Sequence, residues 1–176
     1  MRRVSLKVCL LGDFAVGKTS LVSRFVHDIF SDKYLSTIGV KVSRKTLALP
    51  VDDELVELTL LLWDLAGSED FDRMRASYLR GAAGALCVHD LTRAETLASL
   101  GVYVQDLRRV NPAARVVVVS NKSDLLGEEG AEVLAEAQSV ARHLDAPWHL
   151  TSAKTGEGVE EAFRCLGRLL IQGPTA

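Results

Sequence analysis

The eight residues GDFAVGKT, from Gly12 to Thr19, place the strongest constraint on what this chain can fold into. They match the pattern G-x-x-x-x-G-K-[ST], in which a loop between a strand and a helix surrounds phosphate with backbone N–H groups. An apolar run at 6–11 precedes the loop and a helical pattern at 17–26 follows it. A plain connecting turn would carry this pattern by chance in about one chain of this length in two hundred. The sequence therefore predicts a phosphate-binding loop after the first strand.

Strand-like and helix-like segments alternate along the rest of the chain. Strands are predicted at 6–11, 41–49, 58–64, 85–88, 116–119 and 148–150. Helices are predicted at 17–26, 95–110, 131–144 and 159–171, with a short one after WDLAG. Residues 50–53, Pro-Val-Asp-Asp, are predicted to be the turn of a hairpin. This order predicts an α/β fold, with a mostly parallel sheet covered by helices on both faces.

Length and charge limit the classes of protein that the chain can belong to. Its 176 residues show no internal repeat or linker, so we expect a single domain over 1–176. The formal net charge of −2 argues against nucleic acid as a partner, because phosphate backbones attract basic surfaces. No apolar run approaches the roughly 18 residues of a membrane span.

The cysteines and the two ends of the sequence bear on location. Cys9, Cys87 and Cys165 are odd in number and lie in apolar patterns, which predicts free thiols in a reducing compartment. The start, MRRVSLK, leads directly into a strand, and Arg2 stands where myristoylation needs glycine. The end, QGPTA, has no prenylation cysteine. We therefore expect a cytoplasmic protein without a lipid anchor of its own.

Polar and small residues near the loop supply the chemistry that a bound phosphate needs. Lys18 can reach β- and γ-phosphates, and the Thr19 hydroxyl can bind Mg²⁺. Asp64 ends the apolar run LTLLLWD and can hold the same ion through water. Gly67 lets the backbone approach a γ-phosphate and donate its N–H. Without the loop, Asp64 and Gly67 would be an ordinary turn at a strand end.

Two short motifs follow later strands and suggest which base is bound. NKSD, Asn121 to Asp124, follows four valines, and SAK, Ser152 to Lys154, follows the last strand. A carboxylate at Asp124 could accept the ring N–H and exocyclic amine of guanine, whereas adenine offers neither donor. Sites built on such pairs discriminate by roughly 10⁴ or more. The SAK amides could contact the guanine carbonyl oxygen. Alone, each motif would be a polar turn or a loop before a helix.

Taken together, these motifs give the chain a clear resemblance from Leu6 to about Gln172. It resembles a Ras-superfamily small GTPase, and most of all the Rab branch, through the Trp of WDLAG, through ASYLRGAAGAL and through HDLT. The resemblance implies the P-loop NTPase fold, with six strands, one of them antiparallel, and five flanking helices. It also implies GTP and GDP as ligands with Mg²⁺ as cofactor.

Further site residues are implied by the resemblance alone. Phe30 would pack against the guanine ring, Lys122 would lie along the base, and Thr37 would bind Mg²⁺ and γ-phosphate in the GTP state. The implied metal ligands are Thr19, Thr37 and Asp64, and the implied catalytic residues are Lys18, Thr37, Gly67 and Ser68. The implied nucleotide site consists of Gly12, Asp13, Phe14, Ala15, Val16, Gly17, Lys18, Thr19, Ser20, Phe30, Tyr34, Thr37, Asp64, Gly67, Asn121, Lys122, Asp124, Leu125, Ser152, Ala153 and Lys154.

The sequence departs from the family pattern in three places. Ser68 stands where the family has the glutamine that orients the attacking water, and a serine hydroxyl is too short for that task. Phe14 occupies a loop position that is small in fast hydrolases and should crowd the γ-phosphate. The cysteines that the family's lipidated tail carries do not occur in QGPTA. Between Phe30 and Thr37 there is no arginine to act as a finger, and Arg73 and Arg75 are predicted to be solvated charges.

Three functions are compatible with these motifs to different degrees. The first is a GTP/GDP switch with slow hydrolysis, whose segments near Thr37 and Asp64–Tyr78 bind effectors in the GTP state. An exchange factor and a GTPase-activating protein would be further partners. The second is a binding module that holds GTP without cycling, and the sequence does not decide between these two. The third, an ATP-using kinase or motor, is disfavoured by NKSD and by the short chain.

Overall fold

A six-stranded sheet forms the centre of the computed structural model, which describes residues 1–33, 36–67, 69–128 and 130–173 and, at 69–73, the backbone only. Its strands lie in the order β2-β3-β1-β4-β5-β6. The pairing of β2 with β3 is antiparallel, and the other four pairings are parallel. The strands are β1 (Arg2–Leu11), β2 (Val40–Val51), β3 (Glu54–Leu65), β4 (Ala82–Asp90), β5 (Arg115–Asn121) and β6 (Trp148–Leu150).

Helices cover both faces of the sheet, as predicted. They are α1 (Lys18–His27), α2 (Glu69–Leu79), α3 (Ala94–Ala98), α4 (Leu100–Val110), α5 (Gly130–His143) and α6 (Val159–Gln172). The helix predicted at 95–110 is divided at Ser99 into α3 and α4, so the five expected flanking helices form six segments in the part of the chain that the structure describes. None of the described helices has the length and apolarity needed to cross a membrane.

Alternation along the central strands explains why both faces are buried. Val8 and Leu10 of β1 pack in the core under α1 and α6, where Phe25 and Phe163 stack at 4.0 Å. Cys9 and Leu11 point to the opposite face, in the core under α4 and α5. Successive side chains of a strand point to opposite faces, so a strand buried on both sides is apolar throughout.

The β2–β3 hairpin is longer than the sequence predicts. Pro50 lies opposite Leu55 and Val51 opposite Glu54, so both belong to strand β2 and the predicted turn at 50–53 is too long. The connection is reduced to Asp52 and Asp53, and Asp52 adopts a left-handed φ of 51°. Proline is tolerated here because β2 is an edge strand and its missing N–H costs no ladder hydrogen bond on the outer side.

Candidate functional site

A cavity of about 520 Å³ opens at the carboxyl ends of the parallel strands, where ligands bind in open α/β sheets. It is lined by most of the residues that the sequence predicts for the nucleotide site, namely Phe14, Ala15, Gly17, Lys18, Thr19, Ser20, Phe30, Thr37, Gly67, Asn121, Lys122, Asp124, Leu125, Ala153 and Lys154. Ser23, Ile29 and Lys33 also line it and were not predicted. The structure thus brings the separate motifs together in one cavity.

Five predicted residues are not among those that line the cavity: Gly12, Asp13, Val16, Asp64 and Ser152. Val16 lies fully buried in the hydrophobic core. The Asp13 carboxylate is turned towards α4, where Ser99 Oγ and Tyr103 Oη donate to it at 2.7 and 2.8 Å. Any contact of Val16 or Asp13 with a nucleotide therefore has to come from the backbone. Tyr34 and Ser68 lie outside the described residues.

Two glycines allow the phosphate-binding loop to pass close to its neighbours. A Cβ on Gly12 would lie 2.2 Å from the Val88 carbonyl oxygen, and a Cβ on Gly17 would lie 2.3 Å from Asn121 Nδ2. Gly17 also has φ of 104°, a backbone conformation that residues with a side chain rarely adopt. The third close approach is at Gly67, where a Cβ would lie 2.6 Å from the Phe14 nitrogen. Gly67 therefore places the end of the WDLAG segment directly against the loop.

Lys18 is held inside the loop by backbone carbonyls. Its Nζ donates to the Gly12 oxygen at 2.8 Å and to the Asp13 oxygen at 2.9 Å. Burial lowers the pKa of Lys18 to about 8, although the nearby Asp64 and Asp13 carboxylates oppose this effect. A polyphosphate would supply the negative charge that stabilises the ammonium form.

Three oxygens meet beside Lys18 in an arrangement suited to a hard cation. Thr19 Oγ1 lies 2.6 Å from Thr37 Oγ1 and 2.5 Å from Asp64 Oδ2. The other carboxylate oxygen, Asp64 Oδ1, is buried without a hydrogen-bond partner among the described residues. Burial raises the pKa of Asp64, while the Thr19 hydrogen bond and Lys18 act in the opposite direction. Mg²⁺ prefers oxygen ligands and few protein contacts, so these residues fit the ion.

The two base-recognition motifs contact each other. Ser152 Oγ donates to Asp124 Oδ1 at 2.7 Å, and the Ala153 N–H donates to Asn121 Oδ1 at 3.3 Å. Asp124 is exposed in the cavity, whereas a carboxylate discriminates between bases most strongly when it is buried. A base lying against Asp124 would itself have to provide that burial.

Arg24 of α1 anchors the SAK loop and was not predicted from the sequence. Its Nε donates to the Ala153 oxygen at 2.9 Å and its Nη2 to the Lys154 oxygen at 2.6 Å. Position 24 falls on an amphipathic helix, where an arginine is usually a solvated charge, so no local signal marks it. The contact links the base-recognition loop to the helix that begins at the phosphate-binding loop.

The expectation that Arg75 is a solvated charge is wrong. Its Nη2 lies 2.5 Å from Asp106 Oδ2 on α4, and only 11% of its side chain is exposed. Its guanidinium also lies 4.6 Å from the centroid of the Tyr103 ring. The tertiary contact between α2 and α4 buries this side chain, and helix position alone does not reveal such a contact. The side chain of Arg73 is outside what the structure describes.

Comparison with known proteins yields one family and many relatives. The profile described as "Ras family" matches residues 7–172. The chain is 38% identical to GTP-binding protein ypt5 of Schizosaccharomyces pombe over 168 residues, which is 95% of this chain and 78% of that protein. It is 40% identical to human Ras-related protein Rab-22A over 160 residues, covering 90% and 79% of the two chains. With human Rab-31 it shares 39% over 165 residues, or 93% and 82%.

Proposed function

The chain belongs to the Ras family and is close to its Rab branch, and on that premise we propose that it is a molecular switch that holds GTP or GDP together with Mg²⁺. It is a Rab-like small GTPase, and its principal ligand is a guanine nucleotide. The observation that supports the residue assignments most strongly is the meeting of Thr19, Thr37 and Asp64 oxygens beside the buried Lys18.

Residues of three segments of the chain would bind the phosphates together. Lys18 would exchange its two carbonyl contacts for phosphate oxygens, because an anion accepts more strongly than a neutral carbonyl. Thr19, Thr37 and Asp64 would hold Mg²⁺, which when bound would supply positive charge to the phosphates. The close approach of Gly67 to the loop supports a contact between its N–H and a γ-phosphate. Loss of that phosphate would release Thr37 and Gly67, which is how such switches change state.

Hydrolysis is proposed to be slow because of two residues beside the γ-phosphate position. The sequence has Ser68 where the family has its water-orienting glutamine. Phe14 lines the cavity and is 47% exposed, which supports crowding of the γ-phosphate by its ring. The comparisons give the alternative of a non-cycling, GTP-bound module no support over a hydrolysing switch.

The proposed protein partners bind at the segments that respond to the nucleotide. Effectors would contact the regions near Thr37 and Asp64–Tyr78, where Ile38 and Met74 expose apolar side chains. An exchange factor and a GTPase-activating protein would act on the same segments. We propose a cytoplasmic location for a single G domain. The location is supported by the unpaired thiols of Cys9, Cys87 and Cys165, because a reducing compartment keeps thiols free.

Guanine specificity tests this proposal directly, through the Asp124→Asn substitution. Asparagine presents a donor where guanine also donates, so we expect affinity for GDP to fall by roughly 100-fold or more and affinity for xanthosine diphosphate to rise. The measurement is competition of unlabelled nucleotides against fluorescently labelled GDP. Asp145→Asn is a matched control, since Asp145 is exposed with a φ of 53° that asparagine also adopts. Equal affinity of the wild type for ATP and GTP would refute the proposal.

A further inference from the structure

Three successive carbonyls of the phosphate-binding loop accept hydrogen bonds from side chains outside the loop. Arg93 Nη2 donates to the Phe14 oxygen at 2.6 Å. Lys122 Nζ donates to the Ala15 oxygen at 2.9 Å, and Asn121 Nδ2 donates to the Val16 oxygen at 3.0 Å. The donors at Asn121 and Lys122 belong to NKSD, but no sequence motif includes Arg93.

A single buried carboxylate joins two of these donors. Asp90, at the end of β4, is 1% exposed, and its Oδ2 lies 2.8 Å from Lys122 Nζ and 3.2 Å from Arg93 Nε. Its Oδ1 accepts from the Thr92 N–H and hydroxyl at 2.8 and 2.7 Å. Burial by itself would raise the pKa of Asp90, but hydrogen bonds from Lys122 and Thr92 outweigh burial and lower it. The carboxylate is therefore charged and fully partnered at neutral pH.

Fixing these carbonyls also fixes the direction of the neighbouring N–H groups. In a planar trans peptide the C=O and the following N–H point in opposite directions. Holding the Phe14 oxygen on the Arg93 side therefore aims the Ala15 N–H away from Arg93. Ala15 has φ of 62°, a left-handed conformation that is strained for a residue with a Cβ. Contacts from outside the loop must stabilise this conformation.

Electrostatics point to the same role for Arg93. Its guanidinium donates to the Phe14 carbonyl and so places a second positive charge beside the loop, in addition to Lys18. A positive charge beside the loop attracts a polyphosphate. Asp90 holds the Arg93 guanidinium through Nε and leaves Nη2 bound to the Phe14 carbonyl. The Arg93 side chain is 34% exposed, so replacing Arg93 by a smaller residue does not leave a large buried cavity.

We propose that Asp90 and Arg93 are positioning residues that fix the Phe14 carbonyl, present the Ala15 N–H to the phosphates and so slow nucleotide release. This inference rests on the proposed function, because it requires a nucleotide in the loop at 12–19. Arg93 does not need to touch the nucleotide. Its planar fork serves both partners at once, with Nε on Asp90 and Nη2 on Phe14.

The test compares Arg93→Ala, Arg93→Lys and the wild type, each loaded with fluorescently labelled GDP and Mg²⁺ and chased with excess GDP. Loss of a charge-assisted hydrogen bond predicts about tenfold faster release from Arg93→Ala. Lysine supplies one point charge in place of the fork, so Arg93→Lys should restore part of the difference. Arg109→Ala is the matched control, because Arg109 is 68% exposed and its Nη1 lies 3.6 Å from Asp106 Oδ1, away from the loop. Its release rate should equal that of the wild type.

A second substitution separates positioning from a general loss of stability. If Arg93 acts together with Asp90, then Asp90→Asn should speed release, and Arg93→Ala should add less than tenfold in that background. Unchanged release in Arg93→Ala, or equal effects of the alanine and lysine variants, would overturn the inference. Failure of the wild type to bind labelled GDP would instead overturn the proposed function.

Discussion

Phe14 and Ser68 are the two residues that we expect, at the scale of single residues, to slow the hydrolysis of GTP. Phe14 lines the cavity, and its backbone carbonyl accepts a hydrogen bond from Arg93. Ser68 is assigned from the sequence alone. Both residues are expected to affect the small volume in which a water molecule would attack the γ-phosphate. Because they share that volume, we expect their effects to be coupled.

A double-mutant cycle on single-turnover GTP cleavage tests this coupling. Ser68→Gln alone should help little, because the Phe14 ring would still obstruct the new amide. Phe14→Gly with Ser68→Gln should accelerate cleavage by more than the product of the two single effects. Strictly multiplicative effects would contradict the idea that the two residues act on one volume.

His89 gives the fold a dependence on pH that the nucleotide site does not explain. It is buried in β4, its Nε2 lies 2.5 Å from Ser120 Oγ, and that oxygen accepts from Trp148 Nε1 at 2.8 Å. Burial lowers the pKa of His89 to about 4, although Asp90 opposes the effect. The ordinary pKa in an unfolded chain is about 6.5. Between these two values the unfolded chain binds a proton that the folded chain does not.

Stability should therefore fall as pH drops from about 6.5 to about 4, by up to roughly 3 kcal/mol from this residue. Above pH 6.5 the contribution of His89 is fully present. The measurement is urea unfolding of the wild type and of His89→Gln, both saturated with GDP, at several pH values. Glutamine does not titrate, so the difference between the two curves isolates the histidine. A difference that does not change between pH 7 and pH 4 would show that His89 is not the titrating group.

The sequence motifs correctly identified residues that line one cavity, and the roles given to them stay predictions. Lys18, Thr19 and Asp124 each belong to a pattern whose function follows from its residue types. Asp90 could not be recognised in this way, because its role depends on the register that places it opposite Asn121 in the neighbouring strand. The sequence showed only that Asp90 is a polar residue at the end of an apolar strand.

At the scale of elements, the position of α2 is set by its contact with α4. Arg75 joins the two helices through Asp106, and Tyr103 of the same helix donates to Asp13 in the phosphate-binding loop. Helix α2 begins two residues after Gly67, which contacts that loop directly. The loop contacts α4, α4 contacts α2, and α2 follows closely after Gly67, which contacts the loop. A shift of α2 should therefore change the position of the loop.

Removing the ion pair should loosen α2. In Arg75→Ala we expect amide hydrogen exchange in peptides covering Met74 to Leu79 to become about tenfold faster, since a partly buried, charge-assisted pair is lost. The measurement is exchange followed by mass spectrometry on the GDP-loaded protein. Arg109→Ala removes an exposed partner of the same Asp106 and should leave α2 unchanged. Equal protection of α2 in Arg75→Ala and the wild type would show that the pair does not hold the helix.

Helices and strands were predicted well where the hydrophobic periodicity is strong. They were predicted less well where tertiary contacts set the boundaries of an element. The four valines at 116–119 identified β5, and Trp148 to Leu150 was predicted with the observed bounds. The division of the predicted helix at Ser99 was missed. Ser99 has a helical φ of −71°, and its side chain donates to Asp13, a tertiary contact that helix periodicity does not show. The Pro50 error arose because the edge position of β2 is a property of the sheet, not of the local sequence.

At the scale of the whole molecule, the sheet collects motifs that are far apart in the chain. The parallel strands β1, β3, β4, β5 and β6 end at one edge, and their ends supply the loop, Asp64, Asp90, NKSD and SAK. The family resemblance predicted this architecture, whereas strand order cannot be calculated from periodicity. NKSD and SAK are weak signals alone, and the topology brings them into one cavity with the phosphate-binding loop.

The most direct test of the central claim is the single-turnover hydrolysis of GTP by the wild type in the presence of Mg²⁺. Small GTPases with the glutamine cleave at roughly 3–5 × 10⁻⁴ s⁻¹ without a partner. We predict tight GTP binding and cleavage at or below about 10⁻⁴ s⁻¹ at 25 °C, a barrier more than roughly 1 kcal/mol higher. Cleavage at about 10⁻² s⁻¹ or faster, the rate of a switch with its own arginine in place, would contradict the account.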